Sequence, residues 1–192
     1  MRYTHIPAPI HQEEGKMTQQ QEKTLEALKA AIQMEIDGKE FYLKASSESK
    51  NEMGRKLLQT LSKEEDYHRR KFEEIYAVIK KKMGWPKIES ETPGGKQLRT
   101  VFSEMMTRIS TDKETLQTEI DTVQKAMEME SASRDFYNRQ RENSIHIAEK
   151  QFYETIADEE RHHFLVLLDY FEYLKDPAAW FVEKEHPSLD GG

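Results

Sequence analysis

Glu65 and His68 stand three residues apart in the stretch Leu61–His68, and Glu160 and His163 do the same in Ile156–His163. On an α-helix, residues three apart share a face, so each pair can offer one carboxylate and one imidazole to a single metal ion. One such pair is a weak signal in a Glu-rich chain. Here the two pairs lie 95 residues apart, and the same offset aligns Ala31–Glu35 with Ala126–Glu130 and Phe41-Tyr42 with Phe136-Tyr137. Leu25 and Leu28 match Ile120 and Val123, and in each half a lone Glu (Glu35, Glu130) precedes the paired Glu by 30 residues. Glu159 and His162 also form a Glu-x-x-His pair, but its counterpart is Glu64 and Tyr67, which is not a ligand set. The repeat and the apolar stripe both select Glu160 and His163.

Four carboxylates and two imidazoles facing one another in a core would be very costly without counterions. Two divalent cations would neutralise them. Imidazole with carboxylate suits iron, manganese or zinc better than calcium or magnesium. Each repeated unit therefore supplies one Glu from a first helix and a Glu-x-x-His from a second, the inward-facing set of four-helix di-metal carboxylate bundles.

The elements that must position these groups follow from the apolar spacing. Leu25, Leu28, Ile32, Glu35 and Tyr42 form the stripe of a first helix, Gln19 to Ser46. Leu57, Leu61, Glu65, His68, Phe72, Ile75 and Ile79 mark a second from Glu52 to Met83, closed by Lys80-Lys81-Lys82 and stopped by Trp85-Pro86. A third starts after Ser110-Thr111-Asp112 and runs to Arg141 along Leu116, Ile120, Val123, Met127, Glu130 and Tyr137. A fourth, Ser144 to Lys175, carries Phe152, Ile156, Glu160, His163, Leu167, Tyr170 and Leu174 and ends at Asp176-Pro177. Glu35 lies roughly 18 Å from the end of its hairpin and Glu65 roughly 21 Å, at 1.5 Å per residue, so all six ligands can meet in one layer.

If both hairpins share that layer, the second and third helices run parallel, and the chain between them must travel back along the bundle. Residues 86–111 are that crossover, with a turn at Pro93-Gly94-Gly95 and a short helix over 97–109. Residues 1–17 are expected to be a flexible arm, 18–175 the bundle, and 176–192 a tail docking by Trp180 and Phe181. Phe164–Leu168 is apolar all round, which predicts a second buried face on the fourth helix. The predicted fold is all-α: a four-helix bundle of two duplicated helical hairpins joined by a long crossover. Gly38, on the inner face one turn after Glu35, and its counterpart Ser133 either leave room beside the metals or allow close helix packing. Tyr42 and Tyr137 either hydrogen-bond the ligands or are core aromatics.

Composition narrows the function. Of 192 residues, 36% are hydrophobic and 34% charged, with 8 Gly and 6 Pro, a balance that suits long helices with a narrow apolar stripe. A net charge of −7 argues against nucleic acid and anionic membranes as partners. No apolar run is long enough for a membrane span, and Met1–Lys16 has no apolar core of the signal-peptide kind. A soluble cytoplasmic protein is the expectation. The 0 Cys exclude disulfides and thiolate-bound metal.

The ordered set Glu35, Glu65, His68, Glu130, Glu160 and His163 resembles that of ferritin-like proteins of the rubrerythrin family, over Glu22 to Leu174. The resemblance implies a ferritin-like bundle with two iron ions bridged by Glu65 and Glu160, one capped by Glu35 and His68 and the other by Glu130 and His163. It implies reduction of H₂O₂ or O₂, and a homodimer. Typical members carry a rubredoxin domain with a four-Cys iron; without one, electrons would come from an external donor such as a rubredoxin-like protein. Members also carry an extra Glu three residues after the third-helix ligand, where this chain has Ser133, so its ligand set is closer to that of bacterioferritin. Three functions follow: a di-iron oxidoreductase acting on peroxide or O₂; a ferroxidase or iron-storage protein; and a non-enzymatic metal-binding bundle.

Overall fold

The computed structural model describes residues 18–81, 84–86 and 113–180. The predicted arm, the crossover with its short helix, and residues 181–192 of the tail lie outside the described residues. Four long helices account for nearly all of the rest: α1 (Gln19–Glu48), α2 (Glu52–Lys80), α3 (Lys113–Asn143) and α4 (Ile147–Lys175).

Local chemistry sets their ends. The Thr18 hydroxyl accepts from the Gln21 amide at 3.2 Å, and the Gln21 side chain accepts from the Thr18 amide at 3.0 Å, a capping box that starts α1. Asn51 Oδ1 accepts from the Met53 amide at 2.9 Å and starts α2. Four predicted boundaries shift, one of them the end of α3, which lies at Asn143 rather than Arg141. α1 continues past Ser46 to Glu48, because Ser46 and Ser47 turn their hydroxyls back to the Leu43 and Lys44 carbonyls at 2.8 and 2.7 Å. α2 stops at Lys80 rather than Met83, where the Lys81 amide tightens the last turn by bonding to the Val78 carbonyl at 3.1 Å. α4 begins at Ile147 rather than Ser144, because Ser144 finishes α3, its Oγ donating to the Gln140 carbonyl at 2.7 Å.

α1 pairs with α2 and α3 with α4, and the hairpins face each other across the core. Two apolar clusters fill it. One joins Tyr42, Met53, Leu57, Leu61, Val123 and Leu167, the other Leu28, Phe72, Ile75, Tyr137, Tyr153 and Ile156. Along α2 and α3 the chain passes from the first cluster to the second; along α1 and α4 it passes from the second to the first. α2 and α3 therefore run parallel, as the shared layer requires, and Glu35, Glu65, Glu130 and Glu160 fall between the two clusters.

Each bundle end holds a further buried carboxylate. Glu119 accepts from Ser49 Oγ at 2.8 Å and Tyr170 OH at 3.0 Å, and Glu149 from Thr24 Oγ1 at 3.4 Å. After α4, Asp176 caps one helical turn, accepting from the Ala179 amide at 2.9 Å, and the buried Trp180 packs edge-on to Tyr173 with ring centroids 5.7 Å apart. In the all-apolar stretch of α4, Val166 and Leu167 are buried, and Phe164, Leu165 and Leu168 are half-buried. Among the described residues, no helix is long and apolar enough to cross a membrane.

Candidate metal centre

The middle layer gathers all six predicted residues. Each is at most 5% exposed, which for four Glu and two His is the opposite of their usual preference. Their ligand atoms form two overlapping groups, Glu35, Glu65, His68 and Glu160, and Glu65, Glu130, Glu160 and His163, with the atoms of each group within 4.8 Å of one another. Glu65 and Glu160 belong to both. His68 Nδ1 lies 3.5 Å from Glu35 Oε2 and 3.4 Å from Glu160 Oε1. His163 Nδ1 lies 3.2 Å from Glu65 Oε1 and 3.5 Å from Glu130 Oε2. The two imidazoles are stacked, 5.7 Å apart with 15° between their planes.

These atoms converge without hydrogen-bonding. Glu35 Oε2, Glu65 Oε1, both Glu160 oxygens and both Nδ1 atoms are buried with no hydrogen-bond partner. Such orphaned polar atoms are rare in a core and costly. Lone pairs aimed at two common points fit two cations, and the donor set of oxygen and imidazole nitrogen fits transition metals.

The surrounding residues fix the ligands by a crossed arrangement. Tyr42 of α1 donates to Glu130 of α3, and Tyr137 of α3 donates to Glu35 of α1. Both tyrosines thus hydrogen-bond a carboxylate of the layer while their rings are buried in the two apolar clusters. His68 Nε2 lies 2.6 Å from Glu159 Oε2, and His163 Nε2 lies 2.8 Å from Glu64 Oε2. A carboxylate on Nε2 fixes the imidazole so that Nδ1 faces the centre. The spacing of ligands did not reveal Glu64 and Glu159; the signal was the doublet Glu64-Glu65, repeated as Glu159-Glu160. A Cβ on Gly38 would sit 3.1 Å from Glu65 Oε2, so the glycine makes room for that carboxylate. Ser133 is half-buried at the matching place on α3.

Charge is distributed unevenly among these groups. Burial, then the charges on Glu160, Glu35 and Glu130, raise the Glu65 pKa well above the carboxylate range. Burial, then Glu160, push Glu130 up to about 8. For Glu160 burial also opposes ionisation, but His163 and His68 outweigh it, and it keeps its charge. Burial opposes charge on the two imidazoles as well, yet the carboxylates around them, led by Glu159 for His68 and Glu130 for His163, raise both. Without cations the centre stores protons in their place.

The model of the rubrerythrin family matches residues 26–170, most of the chain and every residue of this centre. The chain belongs to the rubrerythrin family. That family is one of ferritin-like, di-iron-binding bundles, and the helices and the buried Glu/His layer of this chain fit it. Searches of curated proteins and of solved structures return no match. The arrangement in this rubrerythrin-family chain is symmetric: each half contributes one Glu, one Glu-x-x-His and one Tyr, and each half's Glu64 or Glu159 serves the other half's histidine.

Proposed function

We propose that this protein is a non-haem di-iron oxidoreductase that reduces hydrogen peroxide or O₂ with electrons from an external donor. The observation that carries the reading is the pair of overlapping groups of buried carboxylates and imidazoles that share Glu65 and Glu160. Glu35 and His68 would hold one ion, Glu130 and His163 the other, and Glu65 and Glu160 both. Bound iron would supply two electrons together to a peroxide or dioxygen O–O bond.

The chain's own residues do the rest. Glu159 and Glu64 hold the imidazoles in one tautomer. Tyr42 and Tyr137 orient Glu130 and Glu35 by hydrogen bonds and sit where a phenolic proton can be lent to the layer. The clusters above and below keep bulk water away from it. Glu65 and Glu130, which hold protons without metal, release them as cations bind.

A second reading, a ferroxidase that oxidises iron and passes it on, is favoured by Ser133, which leaves the ligand set at four Glu and two His. The test is anaerobic loading with Fe(II) followed by H₂O₂ or O₂ with and without a reduced rubredoxin-like donor. Repeated turnover of donor with iron retained supports the first reading. A single oxidation with iron accumulating beyond two ions per chain supports the second.

A further inference from the structure

Tyr153 is fully buried, and its phenol has no hydrogen-bond partner. A buried hydroxyl left unpaired is costly, and phenylalanine would bury the same ring without that cost. The repeat does not keep an aromatic ring at this place: the counterpart in the first half is Leu58, also fully buried. One turn earlier on the same face of α4, Glu149 Oε2 is likewise buried without a partner. A phenol and a carboxylate held one helical turn apart in a core can exchange a proton when one of them changes charge.

The neighbours of Tyr153 supply the route. Its ring stacks on Tyr137, with centroids 6.2 Å apart and 19° between planes. Tyr137 in turn donates to Glu35 in the metal layer. On the other side, Trp85 lies 6.1 Å from Tyr153 and lines a cleft of about 270 Å³ with Thr18, Ile79, Gly84, Ile145 and His146. Glu149 lines an adjoining cleft of about 350 Å³ with Lys23, Gln140 and Asn143, and the two clefts share Gln20 and Thr24. Aromatic rings therefore run in contact from the centre to one bundle end, and a carboxylate one helical turn from the middle ring lines the adjoining cleft. In the other half the run stops at Leu58, and Trp180, the counterpart of Trp85, packs on Tyr173 instead.

We propose that Tyr153 is a redox-active residue, the middle stage of a one-electron path Trp85–Tyr153–Tyr137 between the bundle-end cleft and the metal centre, with Glu149 as its proton acceptor. The inference rests on the redox function proposed above. With iron held in the layer and oxidised by peroxide or O₂, Tyr137 would pass one electron inward while its phenolic proton shifts to the Glu35 oxygen it touches. Tyr153 gives an electron to Tyr137, which recovers its proton, and Tyr153 leaves its own proton on Glu149. Trp85 then gives an electron to Tyr153, which takes the proton back, and a one-electron donor protein at the cleft refills Trp85. The donor has lost one electron, the centre has gained one, and the three aromatic residues end as they began.

The test is flash photolysis of the full chain with a ruthenium tris-bipyridine photo-oxidant, in a Trp180→Phe background so that Trp85 is the one tryptophan left. The Trp radical should decay into a tyrosyl radical. Tyr153→Phe should lengthen its life about tenfold or more, equivalent to a barrier raised by about 1.4 kcal/mol. Glu149→Gln, which keeps the ring, should slow the same step by removing the proton acceptor. Equal decay in wild type and Tyr153→Phe, or no tyrosyl radical in the wild type, overturns the proposal. The readout does not depend on iron turnover, so a protein that fails to reduce peroxide but passes this test refutes the function and not the path.

Discussion

His68 on α2 presents its Nε2 to Glu159 on α4 at 2.6 Å, which leaves Nδ1 facing Glu35 and Glu160. The hydrogen bond crosses between hairpins, so folding of one half aims a ligand of the other. Glu159→Ala should lower transition-metal affinity by about 10–100-fold while the helices persist. Competition titration against a chelator, with circular dichroism of the same samples, checks both halves of that statement. Unchanged affinity would mean that the imidazole is aimed by packing alone.

The two shared carboxylates should respond differently to removal. Glu65 is held protonated in the metal-free protein, so Glu65→Leu removes a neutral group and should change metal-free stability by no more than about 1.5 kcal/mol. Glu160 carries the charge that faces both histidines, so Glu160→Leu leaves them without it and should cost about 3–5 kcal/mol. Urea melts of the two metal-free variants decide; equal costs would refute the uneven charge distribution.

Two buried glycines give opposite expectations. At Gly38 the added methyl would press on the Glu65 side chain, with Oε2 3.1 Å away, a carboxylate that can shift when no metal holds it. Gly38→Ala should therefore stabilise the metal-free helix by about 0.5–1 kcal/mol and weaken metal binding. At Gly54 the methyl would collide with the Glu119 carboxylate and the Tyr170 phenol, which are hydrogen-bonded to each other at 3.0 Å. Gly54→Ala should destabilise with or without metal by about 1–3 kcal/mol. Melts of both variants, each with and without Fe(II), separate the cases.

Metal-free stability should fall as pH rises toward 8. Glu65, Glu130, His68 and His163 all have folded pKa values above their unfolded ones, so between pH 5 and 8 the folded protein binds more protons than the unfolded chain. Their contribution is present below the unfolded pKa and is lost as pH rises through the folded one, Glu130 at about 8. Glu160, with a lowered pKa, contributes fully and constantly in that range. The metal-free melting temperature should fall from pH 6 to pH 8, and metal affinity should rise over the same interval as protons leave the ligands. Thermal melts at both pH values check the sign.

The repeat made the centre legible because ligand chemistry forces both halves to keep the same residue at the same place. Glu35 and Glu130 stood out as charges in an apolar stripe, and Tyr42 with Tyr137 came along by the same offset. Glu64 and Glu159 were harder to recognise, since a Glu beside a ligand on a helix usually points to solvent. Glu119 and Glu149 were hidden for the opposite reason: their counterparts are Thr24 and Gly54, so the halves satisfy the same space with different chemistry. Helix ends moved by a few residues where serine hydroxyls at Ser46, Ser47 and Ser144 bonded to nearby carbonyls, a choice that apolar periodicity does not record.

The central claim is that two cations share Glu65 and Glu160 in one layer. Anaerobic Fe(II) titration of the chain and of Glu65→Leu, followed by metal analysis after gel filtration, tests it most directly. The account predicts about two ions per wild-type chain, the number its two overlapping ligand groups can hold, and loss of binding at both positions in the variant. A wild-type value that stays at one or below, or a Glu65→Leu protein that still holds two, would contradict it.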